Sequence, residues 1–197
     1  MNSTTTKNLN KKTLLSAFIT LLNDRLGESI VFPLLPFLLD KFNSSGSTLG
    51  FLAGTYAIAQ FAVSPLIGAF SDRFGRKPII ITCVSGSVIG LTIFAITVSL
   101  EWETILPAWA SMIPLILLFT ARIIDGISGG TAATATAVLA DISTPETRAK
   151  TFGLIGVAFG LGFLLGPGLG TTLAKFSVTL PIWVAVLIAS VNLILVI

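Results

Sequence analysis

The chain has 197 residues, of which 53% are hydrophobic and only 11% charged, with a formal net charge of +3. That charged share is about half the usual one for a soluble domain, and no stretch is polar enough for a soluble unit to fold beside the rest. With no histidine and one cysteine, Cys83, an internal disulfide is excluded, no metal site or other cofactor is expected, and the common proton-relay side chain is missing.

A polar segment at 1–12 precedes six long apolar stretches, at roughly 13–40, 47–70, 78–99, 112–140, 149–174 and 179–197. A bilayer-crossing helix takes about 20 residues at ~1.5 Å rise. The expected fold class is therefore an all-α integral membrane protein, a six-helix transmembrane bundle over 13–197. The first stretch is too long, and too interrupted by charge, for a signal-peptide core. It is expected to remain as helix 1.

Helix 1 reads LLNDRLGESIVFPLLPFLL. Asp24 and Glu28 lie four apart and share one helical face, with Arg25 about 100° round. Asp24 and Arg25 are expected nearer the cytoplasmic end, where long side chains snorkel to the interface. Helix 2 is uncharged until it runs into GAFSDRFGRK at 68–77, which holds three cations and one carboxylate. Helix 3 is uncharged again, so 68–77 is a tight, basic, glycine-punctuated turn between two spans. Helix 4 reads PLILLFTARIIDGISGGTAATATAVLA, with Arg122 and Asp125 three apart. Its small face, Gly126, Gly129, Gly130, Thr131, Ala132 and Ala133, is expected to pack on helix 5 or line a cavity. Helix 5 carries Gly153, Gly156, Gly160, Gly162, Gly166, Gly168 and Gly170. Small residues at intervals of four let helix backbones approach closely in lipid. Pro167 removes a backbone donor and is expected to bend the helix and shape a gate.

A charge near the membrane centre costs at least ~2.5–3.5 kcal/mol on insertion scales. Asp24, Arg25, Glu28, Arg122 and Asp125 are thus expected to converge on a shared hydrated interior. One reading makes them structural ion pairs, such as Arg122 with Asp24 or Asp125. The other makes at least one carboxylate a proton exchanger or a contact for a cationic substrate. Burial favours the neutral form of a carboxyl and an adjacent guanidinium the charged form. Without histidine, the carboxylates are the remaining carriers.

Lys7, Lys11, Lys12, Arg73, Arg76, Lys77, Arg148 and Lys150 fall on one side of this arrangement, and only Lys41 and Lys175 on the other. The positive-inside rule then places the N-terminus in the cytoplasm. Trp102, Trp109 and Trp183 all fall near the opposite surface, where an aromatic belt is expected. The cations form no continuous basic face with interleaved aromatics, so the pI near 9.3 does not point to nucleic acid.

A shift of 102 residues lays helix 2 on helix 5. Gly54, Phe61, Pro65 and Gly68 match Gly156, Phe163, Pro167 and Gly170. Helix 2 runs inward and helix 5 outward, so the two three-helix units are inverted, as in secondary transporters.

These residues carry a resemblance to the major facilitator superfamily. GAFSDRFGRK resembles the signature loop between helices 2 and 3, with Phe70 where Leu is usual. ARIIDGISGG at 121–130 resembles the helix 4 motif of a buried Arg followed by spaced glycines. GFLLGPGLGT at 162–171 resembles the helix 5 antiporter motif, with Thr171 in place of its last Gly. LNDRLGESIVFPLLP and ADISTPETRAKTFG look like helix 1 and the helix 4–5 loop of tetracycline-efflux-type transporters. Glu28 and Asp125 depart from positions that are often apolar or small there.

The resemblance implies the N-terminal half of a major facilitator fold, working by alternating access driven by proton exchange. Its implied partners are the lipid bilayer, protons, a small amphipathic or cationic substrate, and a second six-helix half. That half would be the same gene product beyond residue 197, or a second copy in a homodimer. The implied site has three parts. Asp24, Arg25, Glu28, Arg122 and Asp125 form the coupling and substrate cavity. Gly68, Asp72, Arg73, Gly75, Arg76 and Lys77 form a conformational-switch loop, in which Asp72 locks the outward-facing state. Gly162, Gly166, Pro167 and Gly170 form the antiporter motif. An enzyme is not expected, since no soluble active-site constellation or phosphate-binding loop is present. The alternatives are a symporter or facilitator for a sugar or organic acid, and a transport-inactive membrane scaffold.

Overall fold

The computed structural model describes residues 3–37, 46–110 and 112–197. Helix α1 runs Ser3–Val31, α2 Gly46–Phe74 and α3 Arg76–Ser99. Helix α4 comes in two parts, Met112–Ser128 and Gly130–Asp141, followed by α5 Arg148–Ala174 and α6 Leu180–Val196. No strand occurs among the described residues. Residues 38–40 of the first expected span, and Lys41, lie outside them. Helices α2, α3, α4 and α5 are each long and apolar enough to cross a membrane, at 29, 24, 30 and 27 residues. Helix α6 is apolar but has 17 residues. Helix α1 has 29 but breaks its apolar run with Asp24, Arg25 and Glu28.

The interruptions follow from residue chemistry. Helix α1 gives way to a 3-10 turn, Phe32–Leu34, at Pro33, which has no N–H to continue the ladder. A single non-helical residue, Gly75, joins α2 to α3 at φ +96°, a conformation that side-chain-bearing residues rarely adopt. Helix α4 tightens at Gly129, whose N–H bonds the Gly126 carbonyl at 3.0 Å. Its own carbonyl accepts from Gln60 Nε2 of α2 at 3.1 Å, so the break leaves no unpaired oxygen there. Helices α2 and α5 continue through Pro65 and Pro167.

Packing follows the repeat. Helix α1 lies mainly on α5 and α6, helix α4 mainly on α2 and α3, and α3 meets α6. The first helix of each unit thus packs on the second and third of the other. The fold is an all-α six-helix bundle of two inverted three-helix repeats.

Two apolar clusters fill the bundle. One joins Leu34, Leu52, Phe94, Val98, Leu118 and Ile182; the other joins Ala17, Leu21, Ala135, Leu139 and Ala158. Along α1 and α4 the charged residues fall between them. Asp24 and Arg25 therefore sit mid-bundle, and the expected snorkelling of Arg25 does not occur: the side chain turns inward to partners rather than along the helix to an interface. Trp102, Trp109 and Trp183 gather at the end away from the basic turn. Trp183 donates to Ser99 Oγ at 3.0 Å, while Trp102 is buried and donates to the Thr97 carbonyl.

The close approach of α1 and α5 depends on three glycines one turn apart. A Cβ at Gly170 would fall 2.5 Å from the Ile30 carbonyl oxygen, and one at Gly162 2.5 Å from the Arg25 Cβ. Gly166 meets Ser29 in the same way. Because this face of α5 is taken by α1, the small face of α4 packs on α2 instead, with Gly126 against the Tyr56 carbonyl and Gly130 against Ile67. Gly153, Gly156, Gly160 and Gly168 point to open space. Gly170→Ala should lower the stability of the membrane-inserted chain by about 1–3 kcal/mol, the usual cost of overpacking. Gly160→Ala should change it by less than about 0.5 kcal/mol. Thermal unfolding of the two variants checks the difference.

Candidate functional site

Five charges meet at the centre of the bundle. On α1, the Arg25 guanidinium reaches Asp24 at 2.6 Å and also holds Glu28. It lies 5.2 Å over the Phe159 ring of α5. Ser29, one turn on, donates to the Gly162 carbonyl at 2.7 Å and fixes the rotation of α1 against α5. On α4, Arg122 lies 3.6 Å from Asp125. Its guanidinium is flanked by Phe94 at 4.8 Å and Tyr56 at 5.9 Å, within the range of cation–π attraction. The Arg122 Nε has no hydrogen-bond partner. Arg25, Arg122 and Asp125 are each less than a tenth exposed.

The cluster is unbalanced, with three carboxyls against two guanidiniums. Arg25 is fully occupied by the α1 acids, whereas Arg122 makes one long ion pair. A small cavity of about 20 Å³ opens between the two groups. Asp24, Glu28, Asp125, Tyr56, Ser87 and Asn192 are among the residues that line it. Tyr56 and Ser87 thus bring hydroxyls to the same cavity as Glu28 and Asp125.

The expected convergence of Asp24, Arg25, Glu28, Arg122 and Asp125 is thus what the bundle builds. Of the two pairings left open for Arg122, the structure has the one with Asp125, and Asp24 pairs with Arg25. Sequence reasoning passed over Tyr56, Ser87, Asn192, Phe94 and Phe159. Tyr56 is the single tyrosine of the chain, and Asn192 is the single amide side chain of helix α6. A lone polar residue in a spanning stretch was the signal available.

The basic turn forms a second, separate centre at the bundle end. Arg76 bridges Asp72 at 2.6 Å, Asp141 at the end of α4 at 2.9 Å, and the Ser71 hydroxyl at 3.0 Å. Lys77 donates to the Ile197 carbonyl at 2.7 Å. Arg73 rests over Phe74 and is exposed. Gly68 faces open space and Gly75 makes the turn. Of the helix 5 residues, Gly162, Gly166 and Gly170 are the buried contact with α1, and Pro167 lies on the same helix, half-buried.

An apolar helical bundle with a buried, unbalanced charge cluster and a basic turn at one end defines a multi-pass membrane protein with a polar interior. The chain belongs to the Major Facilitator Superfamily, whose family model matches residues 16–197. It is 37% identical over 175 residues to the class C tetracycline resistance protein of Escherichia coli, covering 87% of this chain and 40% of that protein. It is 34% identical to multidrug resistance protein 2 of Bacillus subtilis (strain 168), covering 83% and 38%. Among solved structures it is similar to the human organic anion transporter MFSD10 (TETRAN), with a TM-score of 0.75, 29% identity, and coverage of 95% of this chain and 46% of that one. The chain spans about two fifths of the length of the curated relatives it matches.

The two centres should respond differently to mutation. Arg25→Ala strands two carboxyls in the bundle interior and should cost about 3–5 kcal/mol, as for other broken buried pairs. Arg76→Ala, at an exposed bridge, should cost no more than about 1 kcal/mol. Unfolding midpoints of the detergent-solubilised variants provide the comparison.

Proposed function

We propose that this chain forms the N-terminal half of a proton-coupled exporter of small amphipathic or cationic compounds. The observation that carries the reading is the central cluster. Three carboxyls from α1 and α4 share two guanidiniums in a buried layer between apolar clusters. Its formal charge is −1 with every acid ionised, so one proton or one cationic substrate neutralises it. Burial favours the protonated carboxyl and a nearby guanidinium the charged one. A rearrangement that moves Arg122 against Asp125 or toward the α1 acids changes which form is favoured. Similarity to tetracycline and multidrug resistance proteins supports the same substrate class.

The second half would cover α2 and α5, the helices with the least buried surface and a row of outward glycines and phenylalanines. The N-terminus and the basic turn would face the cytoplasm. Asp72 is exposed, and its partner Arg76 already ties the turn to Asp141 within this half. Asp72 is thus free to exchange Arg76 for a contact across the interface when the halves rock.

Two measurements on the complete transporter test this reading. Asp24→Asn, Glu28→Gln and Asp125→Asn should each be assayed for substrate-induced proton release, and at least one should lose it by tenfold or more. Proton release at the wild-type rate in all three would make the cluster structural and favour a symporter or facilitator. Separately, Asp72→Asn should leave membrane expression near normal while reducing transport at least tenfold. Unchanged transport would reduce the turn to a packing feature.

A further inference from the structure

Helix α6 contributes one polar side chain to the centre, and its contact with α1 accounts for only half of its amide. Asn192 is 2% exposed. Its Nδ2 donates to the Thr20 carbonyl of α1 at 3.4 Å, which turns the amide oxygen away from that contact. The Asn192 Oδ1 has no hydrogen-bond partner, and Asn192 lines the 20 Å³ cavity that Asp24, Glu28 and Asp125 also line. An amide oxygen can only accept, and a buried acceptor left unserved costs about 1–3 kcal/mol. The neighbouring carboxylates, while ionised, are acceptors too, and none of the donors that line the cavity with it, Asn23, Tyr56 and Ser87, reaches it.

We infer that this cavity binds one water molecule, and that Asn192 is a positioning residue which makes that water a proton relay between the α1 acids and Asp125. The volume suits a single water, which needs at least about 10–15 Å³ and two to four polar partners. Hydrogen-bond counting then sets the protonation state. The water has two hydrogens, and one goes to Asn192 Oδ1. The other serves one carboxylate. A second carboxyl facing the cavity is satisfied when it carries a proton and donates that proton to the water oxygen. With one proton bound, the water serves Asn192 Oδ1 and one carboxylate and accepts from a second acid, and the cluster of three acids and two guanidiniums is neutral. When that proton moves onto the water and the water passes one of its own to the opposite acid, the charge shifts from one repeat to the other. No bond to a further reactant is needed. The groups facing the site are Asp24, Arg25 and Glu28 from α1, Tyr56 from α2, and Arg122 and Asp125 from α4. Helix α1 also brings the Asn23 amide and helix α3 the Ser87 hydroxyl, while on α5, among the described residues, Phe159 lies beside Arg25.

The inference deepens the exporter reading, but its test needs no transport. The complete protein, reconstituted in vesicles without substrate, is titrated with acid while infrared absorption of the protonated-carboxyl C=O band is recorded. Asn192→Leu keeps the side-chain shape but removes the acceptor, so the water serves both carboxylates in their charged form. Its protonation midpoint should fall by about one pH unit, a tenfold loss of proton affinity. Asn192→Asp keeps an acceptor and adds a negative charge, so its midpoint should rise by a similar amount. Midpoints within about 0.2 unit of wild type in both variants would make Asn192 a packing residue and overturn the proposal. So would a wild-type midpoint that moves when sodium replaces potassium, with the effect lost in Asn192→Leu, since the cavity would then hold a sodium ion. A failure of substrate-driven proton release with the opposed midpoint shifts intact would strike the exporter reading and leave the relay standing.

Discussion

Charge in a medium that cannot solvate it is the constraint on which this fold depends. Asp24, Arg25, Glu28, Arg122 and Asp125 cannot face lipid at the depth where they sit, so each must find its counterpart within the bundle. Arg25 does so locally, by gripping both acids of its own helix. Arg122 does so only partly, by one long pair and two aromatic faces. The result is a cluster whose α1 side is closed and whose α4 side has donor capacity to spare.

The glycines are the geometric complement of that electrostatic demand. An arginine on α1 can be buried against α5 only if α5 presents no side chain there, and Gly162 lies against the Arg25 Cβ. Gly166 and Gly170 continue the same approach along Ser29 and Ile30. On the other side Gly126 and Gly130 let α4 close on α2, which brings Tyr56 over Arg122. Close packing and charge burial are thus one arrangement, because the backbones must nearly touch before the side chains can exclude lipid.

The bundle is also graded in burial. Helices α3 and α4 are buried over about 39% and 44% of their apolar windows, whereas α2 and α5 are buried over 11% and 17%. The two outward helices are related by the inverted repeat, and each passes through a proline. The pairs that tie the bundle end, Arg76 with Asp72 and Asp141, are exposed and cheap to break. The bundle thus has a strongly paired centre, a weakly tied end and two largely unburied helices.

Much of this was legible in the chain itself. Six apolar stretches, the uncharged runs flanking GAFSDRFGRK, the two motifs on helices 4 and 5 and the match of helix 2 to helix 5 are properties of residue order. They determine the class, because membrane helices must satisfy their backbones within each segment and so are written locally. The five site charges were legible for the same reason, since a charge in an apolar run is costly wherever it folds. What the sequence could not decide is which charge meets which. Whether Arg122 faced Asp24 or Asp125, whether Arg25 snorkelled or turned inward, and whether α4 packed its glycines on α5 or α2 depend on helix rotation and crossing. Those are set by contacts between segments more than a hundred residues apart, such as Ser29 with Gly162 and Asn192 with Thr20. Only the tertiary structure supplies them, and with them the cavity in which the acids of two repeats and the amide of α6 come together.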